Sequence, residues 1–113
     1  MNLNRVLLAG NITRDIELTY TQGGTALAKF GMAMNRKWST KDGEKKEETT
    51  FVDVSVWGRQ AETTAEYLGK GSPVFIEGRL DFSTWEKDGQ RRSKLEVVAE
   101  RVQFLPGKGG ERS

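Results

Sequence analysis

Hydrophobic and polar residues alternate with a period of two along most of this chain, and the run at residues 50–59, TFVDVSVWGR, carries the pattern in its strictest form. Val52, Val54 and Val56 take one parity, while Phe51, Asp53, Ser55 and Trp57 take the other. Successive side chains of a strand point to opposite faces. One face is therefore an apolar core face, and the other carries a large ring at each end with small polar groups between. Two explanations fit that second face from this run alone: the rings cover a further apolar layer, or they form an exposed platform.

The same period predicts strands elsewhere. Residues 3–12, LNRVLLAGNI, place Val6, Leu8 and Ile12 on one parity and Leu7 and Ala9 on the other, so this strand is apolar on both faces. One face serves the core; the other calls for a second layer or a second copy of the chain. Ile16, Leu18 and Tyr20 alternate with Glu17 and Thr19 up to a turn at Gly23 and Gly24. Ala26, Ala28, Phe30, Met32 and Met34 then share one parity, with Gly31 marking a bend or a close approach. Residues 35–49 are polar and charged and read as a long hairpin arm turning at Asp42 and Gly43, with Trp38 as its one large apolar group.

The period changes after residue 59. Ala61, Ala65 and Leu68 stand at helical spacing, which predicts one short helix over residues 60–68, capped by a left-handed Gly69 or Gly71. Gly69 to Ser72 lacks the spacing of a phosphate-binding loop and ends a helix instead of opening one. Val74, Ile76, Leu80 and Phe82 restore strand parity, with a possible bend at Gly78. Asp88 and Gly89 supply a hairpin turn, and a strand returns over residues 91–105. Its parity slips near Val97 and Val98, which predicts a bulge or burial on both faces.

Composition narrows the chemistry. A chain of 113 residues is one domain, here residues 1–106, with 107–113 read as a short flexible tail. The absence of cysteine and histidine removes disulfides, thiolate or imidazole metal sites and the usual hydrolytic nucleophile and base pairs. No paired carboxylates show a recognisable catalytic spacing, so neither an enzyme nor a cofactor or metal is expected. Apolar stretches are short and no secretory signal opens the chain, so a cytoplasmic protein with no membrane contact is expected. Net charge is only +2, but the cations are clustered: Lys29, Arg36, Lys37, Lys41, Lys45 and Lys46 surround Trp38, and Lys87, Arg91, Arg92 and Lys94 follow Trp85.

Three long strands, a short helix and two further strands, with glycines where a sheet can coil, are the order of an all-β, five-stranded OB-fold Greek-key barrel with its helix between strands 3 and 4. Trp38, Phe51, Trp57 and Trp85 all fall on hairpin arms or on the parity opposite the valines, and all but Phe51 have a basic neighbour within a few positions. Rings interleaved with cations suit single-stranded nucleic acid, whose bases stack while Lys and Arg follow the phosphates. Duplex DNA offers no free base faces, and no recognition helix is available for its grooves.

The chain resembles the bacterial single-stranded DNA-binding proteins over about residues 2–105. NRVLLAGNITRDIELTY is similar to that family's N-terminal strand pair and EYLGKGSPVFIEGRL to its helix-to-strand passage; the spacing of Trp38, Phe51, Trp57 and Trp85 is that of its base-stacking positions. The resemblance implies stacking by these four rings, and phosphate contacts from Arg5, Arg59, Lys70 and Arg92. Arg36, Lys37 and Arg79 join them on charge and location. It also implies sequence-independent protection of single-stranded DNA in replication, recombination and repair, in association with the bacterial nucleoid. A homotetramer formed through N-terminal strands is implied too, in agreement with the two-faced strand at residues 3–12. A primosomal or RNA-binding OB-fold relative is the alternative reading.

Three departures stand out. Phe51 and Trp57 exchange ring identities with the relatives' usual residues, and Val52 and Asp53 stand where the best-known relatives have His and Arg. The relatives' long linker and acidic tip are replaced by GKGGERS, so contacts with replication and repair partners through such a tail are not expected of these residues. Asp53 sets a negative charge between two rings, and phosphate contacts are expected instead from flanking Arg59, Lys70 and the basic arms. Asp53→Arg is accordingly expected to tighten binding of oligo-dT and steepen its salt dependence, read by fluorescence titration; a weaker complex would show that Asp53 has a structural role.

Overall fold

In the computed structural model, which describes residues 1–105, the alternation becomes strands β1 (Val6–Ile12), β2 (Glu17–Tyr20), β3 (Ala26–Ser39), β4 (Lys45–Trp57), β5 (Pro73–Lys87) and β6 (Gln90–Phe104), with one helix, α1 (Arg59–Tyr67), between β4 and β5. The expected tail at 107–113 lies outside the described residues. The sheet has the order β1-β5-β6-β4-β3-β2 and closes through an additional β1–β3 pairing. All pairings are antiparallel except that of β4 with β6, where Val54, Val56 and the intervening Ser55 meet Val97, Ala99 and Val98.

Six pieces make five barrel strands because β1 and β2 lie end to end on one edge of β3. Ile12 stands opposite Met32 and Glu17 opposite Lys29, so the chain leaves β3 at residue 13 and rejoins it in the same direction. The result is the five-stranded Greek-key barrel that the strand order predicts, with the helix after the third long strand.

The even parities of β3, β4 and β5 face inward. Ala28, Phe30, Met32, Val54, Val56, Val74 and Ile76 are buried with Ile12, Val97 and Ala99, and Ala61 of α1 closes one end of this core. Each Val, Ile, Met or Phe among them contributes roughly 1.5–3 kcal/mol. Thr64, the other buried residue of α1, satisfies its hydroxyl on the Gln60 carbonyl at 2.7 Å. On β2 the Tyr20 hydroxyl donates to Glu62 Oε2 at 2.8 Å, tying that strand to α1. This hydrogen bond is the main cause that holds the phenol above its usual pKa of 10.0. Since the protonated phenol makes the bond, the tie is complete below pH 10 and is lost as the pH rises through the raised value.

Several local features differ from expectation. The helix does not end on a left-handed glycine: its C-cap is Leu68 in an extended conformation, whose N–H returns to the Thr64 carbonyl. Gly71 uses its positive φ one turn later, where its N–H donates to the Ile12 carbonyl at 2.7 Å. The parity slip in β6 is both things at once. Val97, Val98 and Ala99 are all buried, and Glu100 is the extra residue, because Glu77 pairs with Arg101 while Gly78 pairs with Ala99. Gln60 holds this bulge: its Nε2 donates to the Glu100 carbonyl at 3.2 Å and its Oε1 accepts from the Val102 N–H at 2.8 Å.

The largest difference is where the core stops. Leu80 and Phe82 keep the parity of Val74 and Ile76 but are exposed, because β5 and β6 run past the barrel as a two-stranded arm with no layer above it. The turns fulfil the reading: Asp88 and Gly89 both adopt positive φ, and Gly43 does so at the end of the β3–β4 arm.

Gly78 sits at the register shift where β6 lies close against β5. A Cβ there would overlap the Val98 carbonyl oxygen and stand 3.0 Å from Ala99 Cα. Gly78→Ala is expected to cost about 1–3 kcal/mol, seen as a lowered thermal unfolding midpoint, whereas Gly69→Ala, with nothing within 4 Å and no positive φ, is expected to leave it unchanged.

Candidate functional site

The second face of β4 is neither of the two simple alternatives. Phe51 is 70% exposed and Trp57 46%, but Ser55 between them is 2% exposed. In register, Ser55 stands between Lys29 of β3 and Val98 of β6, and its hydroxyl finds no hydrogen-bond partner among the described residues. Two rings thus stand clear at the ends of a face that is closed at Ser55 and partly open at Asp53.

Register extends this face across the sheet. Ser55 is level with Val98, Val98 with Arg79, and alternate residues along the arm lead to the Trp85–Arg92 pair. Phe51, Trp57 and Trp85 therefore share one side of the sheet, and Trp85, 44% exposed, has a cation directly opposite. Trp38 lies on the other parity of the β3–β4 arm, opposite Lys46. The Arg36 guanidinium carbon stands 4.6 Å above its ring, a cation–π arrangement that fixes the indole in place of the core contacts the polar arm lacks.

The expected phosphate-contacting cations divide into two groups. Arg5 pairs with Glu77, Arg36 with Glu48 at 3.7 Å and Arg79 with Glu100 at 3.2 Å. Exposed pairs of this kind contribute only about 0.2–1 kcal/mol, so another anion can displace the carboxylate. Lys37, Arg59, Lys70 and Arg92 make no ion pair among the described residues. Lys37 stands opposite Glu47 on the β3–β4 arm, Arg59 opens α1, and Lys70 is in the turn that Gly71 fastens to Ile12.

Sequence reasoning missed two features of this region. Asp53 does not stand alone between the rings: its Oδ1 is 3.4 Å from Arg14 Nη1 and its Oδ2 is 3.3 Å from Lys94 Nζ. Arg14 sits between β1 and β2, where no periodicity points to it; Lys94 belongs to a basic cluster that the sequence does show. Gly31 makes room for Arg14, since a Cβ there would be 2.5 Å from Arg14 Nη1 and 2.6 Å from Thr13 Oγ1. The second feature is apolar. Leu80, Phe82 and Leu95 are exposed on the inner parity of the β5–β6 arm, and Leu80 and Leu95 join Phe51, Asp53 and Arg14 around a groove of about 360 Å³.

The open groove thus joins one exposed ring, Phe51, and an apolar wall to the exposed Arg14–Asp53 ion pair. Among the described residues, no group of three or more His, Cys, Asp or Glu could hold a metal ion, and no helix is long and apolar enough to cross a membrane.

Comparison with known proteins agrees with this geometry. The single-stranded DNA-binding protein of Wolinella succinogenes is 50% identical over 107 residues, which are 94% of this chain and 66% of that protein. That of Treponema pallidum is 47% identical over 92% of this chain and 58% of its own length. The chain thus spans less than two thirds of these curated relatives. Among solved structures, a deletion mutant of the single-stranded DNA binding protein from Thermus aquaticus superimposes with a TM-score of 0.83 at 37% identity, covering 95% of this chain and 52% of that one. A Plasmodium falciparum SSB in complex with ssDNA has a TM-score of 0.83, over 93% of this chain and 96% of that one. At 24% identity, that last likeness speaks for the fold alone. The model of the single-strand binding protein family matches residues 3–105, which takes in the barrel, both arms and every ring discussed above, and the chain belongs to that family.

Proposed function

We propose that this chain binds single-stranded DNA without regard to sequence and shields it during replication, recombination and repair. The observation that carries the reading is the exposure of Phe51, Trp57 and Trp85 on one side of the sheet. Membership of the family supports it. Every base has a face that can stack, so rings on an open sheet bind without reading sequence, while cations on the arms follow the phosphates. Arg92, directly opposite Trp85, is the cation best placed for this, with Lys37 on the β3–β4 arm and Arg59 and Lys70 near the ends of α1. Arg5, Arg36 and Arg79 act after exchanging a carboxylate for a phosphate. The chain holds the strand and does no chemistry on it, and it acts in the bacterial cytoplasm as part of the nucleoid.

A homotetramer built through N-terminal strands is part of the same reading. Among the described residues, β1 pairs with β3 only at Asn11 and Ile12, with Gly10 close against Ala33, which leaves its edge from Val6 to Ala9 without a paired strand on that side. Leu7, 58% exposed, and Ala9 face outward from this stretch, so a second copy can both extend the sheet and cover the apolar face.

Titration with oligo-dT of graded length, read by tryptophan fluorescence at two salt concentrations, tests the function. Quenching is expected without divalent metal and with the strand left intact, weakening as salt rises. Trp57→Ala and Trp85→Ala are each expected to cost about 1–3 kcal/mol, roughly five- to 150-fold in Kd. Emission unchanged at low salt and saturating oligo-dT would sink the reading. Light scattering tests the assembly, and competition with oligo-U and duplex tests the preference for single-stranded DNA.

A further inference from the structure

Asp53 offers one carboxylate oxygen to each of two cations that reach it from different parts of the fold. Arg14 comes from the segment between β1 and β2, and Lys94 from β6. Their distances of 3.4 and 3.3 Å are long for charge-assisted hydrogen bonds, which close to about 2.7–2.9 Å. Neither pair is buried: the side chains of Arg14, Asp53 and Lys94 are 51%, 41% and 39% exposed. This is a loose arrangement at the rim of the groove that Phe51, Leu80 and Leu95 line. Within this trio two cations share one carboxylate, so both keep hydrogen-bonding capacity for a further anion. A phosphodiester brings a single negative charge, and once it enters, two anions and two cations alternate with none left over.

We propose that Arg14 and Lys94 form a clamp for one phosphodiester of the bound strand, and that Asp53 is the clamp's internal competitor. This rests on the reading of the chain as a single-stranded DNA binder and adds residues and a regulating charge to it. In the free protein the carboxylate holds both cations beside the groove; in the complex they share themselves between Asp53 and a phosphate next to a base packed on Phe51. The bareness of Gly31 is part of the device, because it gives the Arg14 guanidinium room to lie across β3. Asp53 thereby lowers the affinity of the clamp and flattens its salt response, which favours release of the strand.

The test compares Asp53→Asn, Arg14→Gln and Lys94→Gln with the unaltered chain, each checked for an unchanged unfolding midpoint, against two probes. One is ordinary oligo-dT; the other is oligo-dT of the same length with uncharged methylphosphonate linkages. With ordinary oligo-dT, Asp53→Asn is expected to tighten binding severalfold and to steepen the plot of log K against log salt by about 0.7, the increment for one phosphate contact on a single strand. Arg14→Gln and Lys94→Gln are each expected to weaken binding and flatten that plot by a similar amount. With the uncharged probe all four proteins are expected to bind alike, with quenching retained. If Arg14→Gln and Lys94→Gln bind ordinary oligo-dT as the unaltered chain does, or if the effects are the same on both probes, the clamp is wrong. Failure of the unaltered chain to respond to either probe would instead overturn the function on which the clamp rests.

Discussion

Closure of the sheet is the constraint on which the rest of the molecule depends. It is made by short contacts: three residues of β4 beside three of β6, and two of β1 beside two of β3. The β1–β3 contact needs backbones to approach without a side chain between them, at Gly10 against Ala33, and the β5–β6 ladder beside it needs the same at Gly78 against Val98. Inside the closed part a single set of alternate residues fills the core. Strands of 13 to 15 residues are longer than the barrel they close, so the β3–β4 and β5–β6 pairs continue outward as arms. The working surface is a consequence of that excess length, since the arms carry Trp38 and Trp85 away from the core while β4 keeps Phe51 and Trp57 at its mouth.

The electrostatics follow from the same geometry. A net charge of +2 says little about an anionic partner, and the count of cations near each ring says only slightly more. What matters is which cations the fold has already given a carboxylate. Arg5, Arg36 and Arg79 have one, as do Arg14 and Lys94, whereas Arg92, opposite Trp85, and Lys37, on the β3–β4 arm, make no ion pair among the described residues. Exposed pairs are weak, so the paired cations remain available, but at the cost of displacing an acidic group. Binding strength and salt response are therefore set by acidic residues as well as by basic ones, and Asp53 is the clearest case because it engages two cations at the groove.

Much was decided by the amino-acid sequence alone. Alternation is a local property, fixed by the opposite directions of successive side chains, so the strands, the arms, the turns at Gly43 and Asp88–Gly89, the single helix and the core parity were all legible along the chain. The mixed rings and polar groups on the second face of β4 were legible too, but whether that face was a platform or a covered layer was not, since parity alone fits both. The slip in β6 was legible as a defect, though not as the Glu100 bulge that Gln60 holds, since that hydrogen bonding links residues 40 positions apart.

What only the tertiary structure decided concerns where layers end and which distant charges meet. Leu80 and Phe82 share the parity of the core residues Val74 and Ile76, yet they are exposed, with Leu95 opposite Phe82, because no element lies above the β5–β6 arm, and the extent of a layer is not written in the periodicity of any one strand. The partners of Asp53 are 39 and 41 residues away along the chain, on opposite sides of it in sequence. They meet because β4 lies between β3, across which Arg14 reaches, and β6, which carries Lys94. The residue types determined that an acidic group would stand between two rings; barrel closure determined that it would face two cations and not water alone.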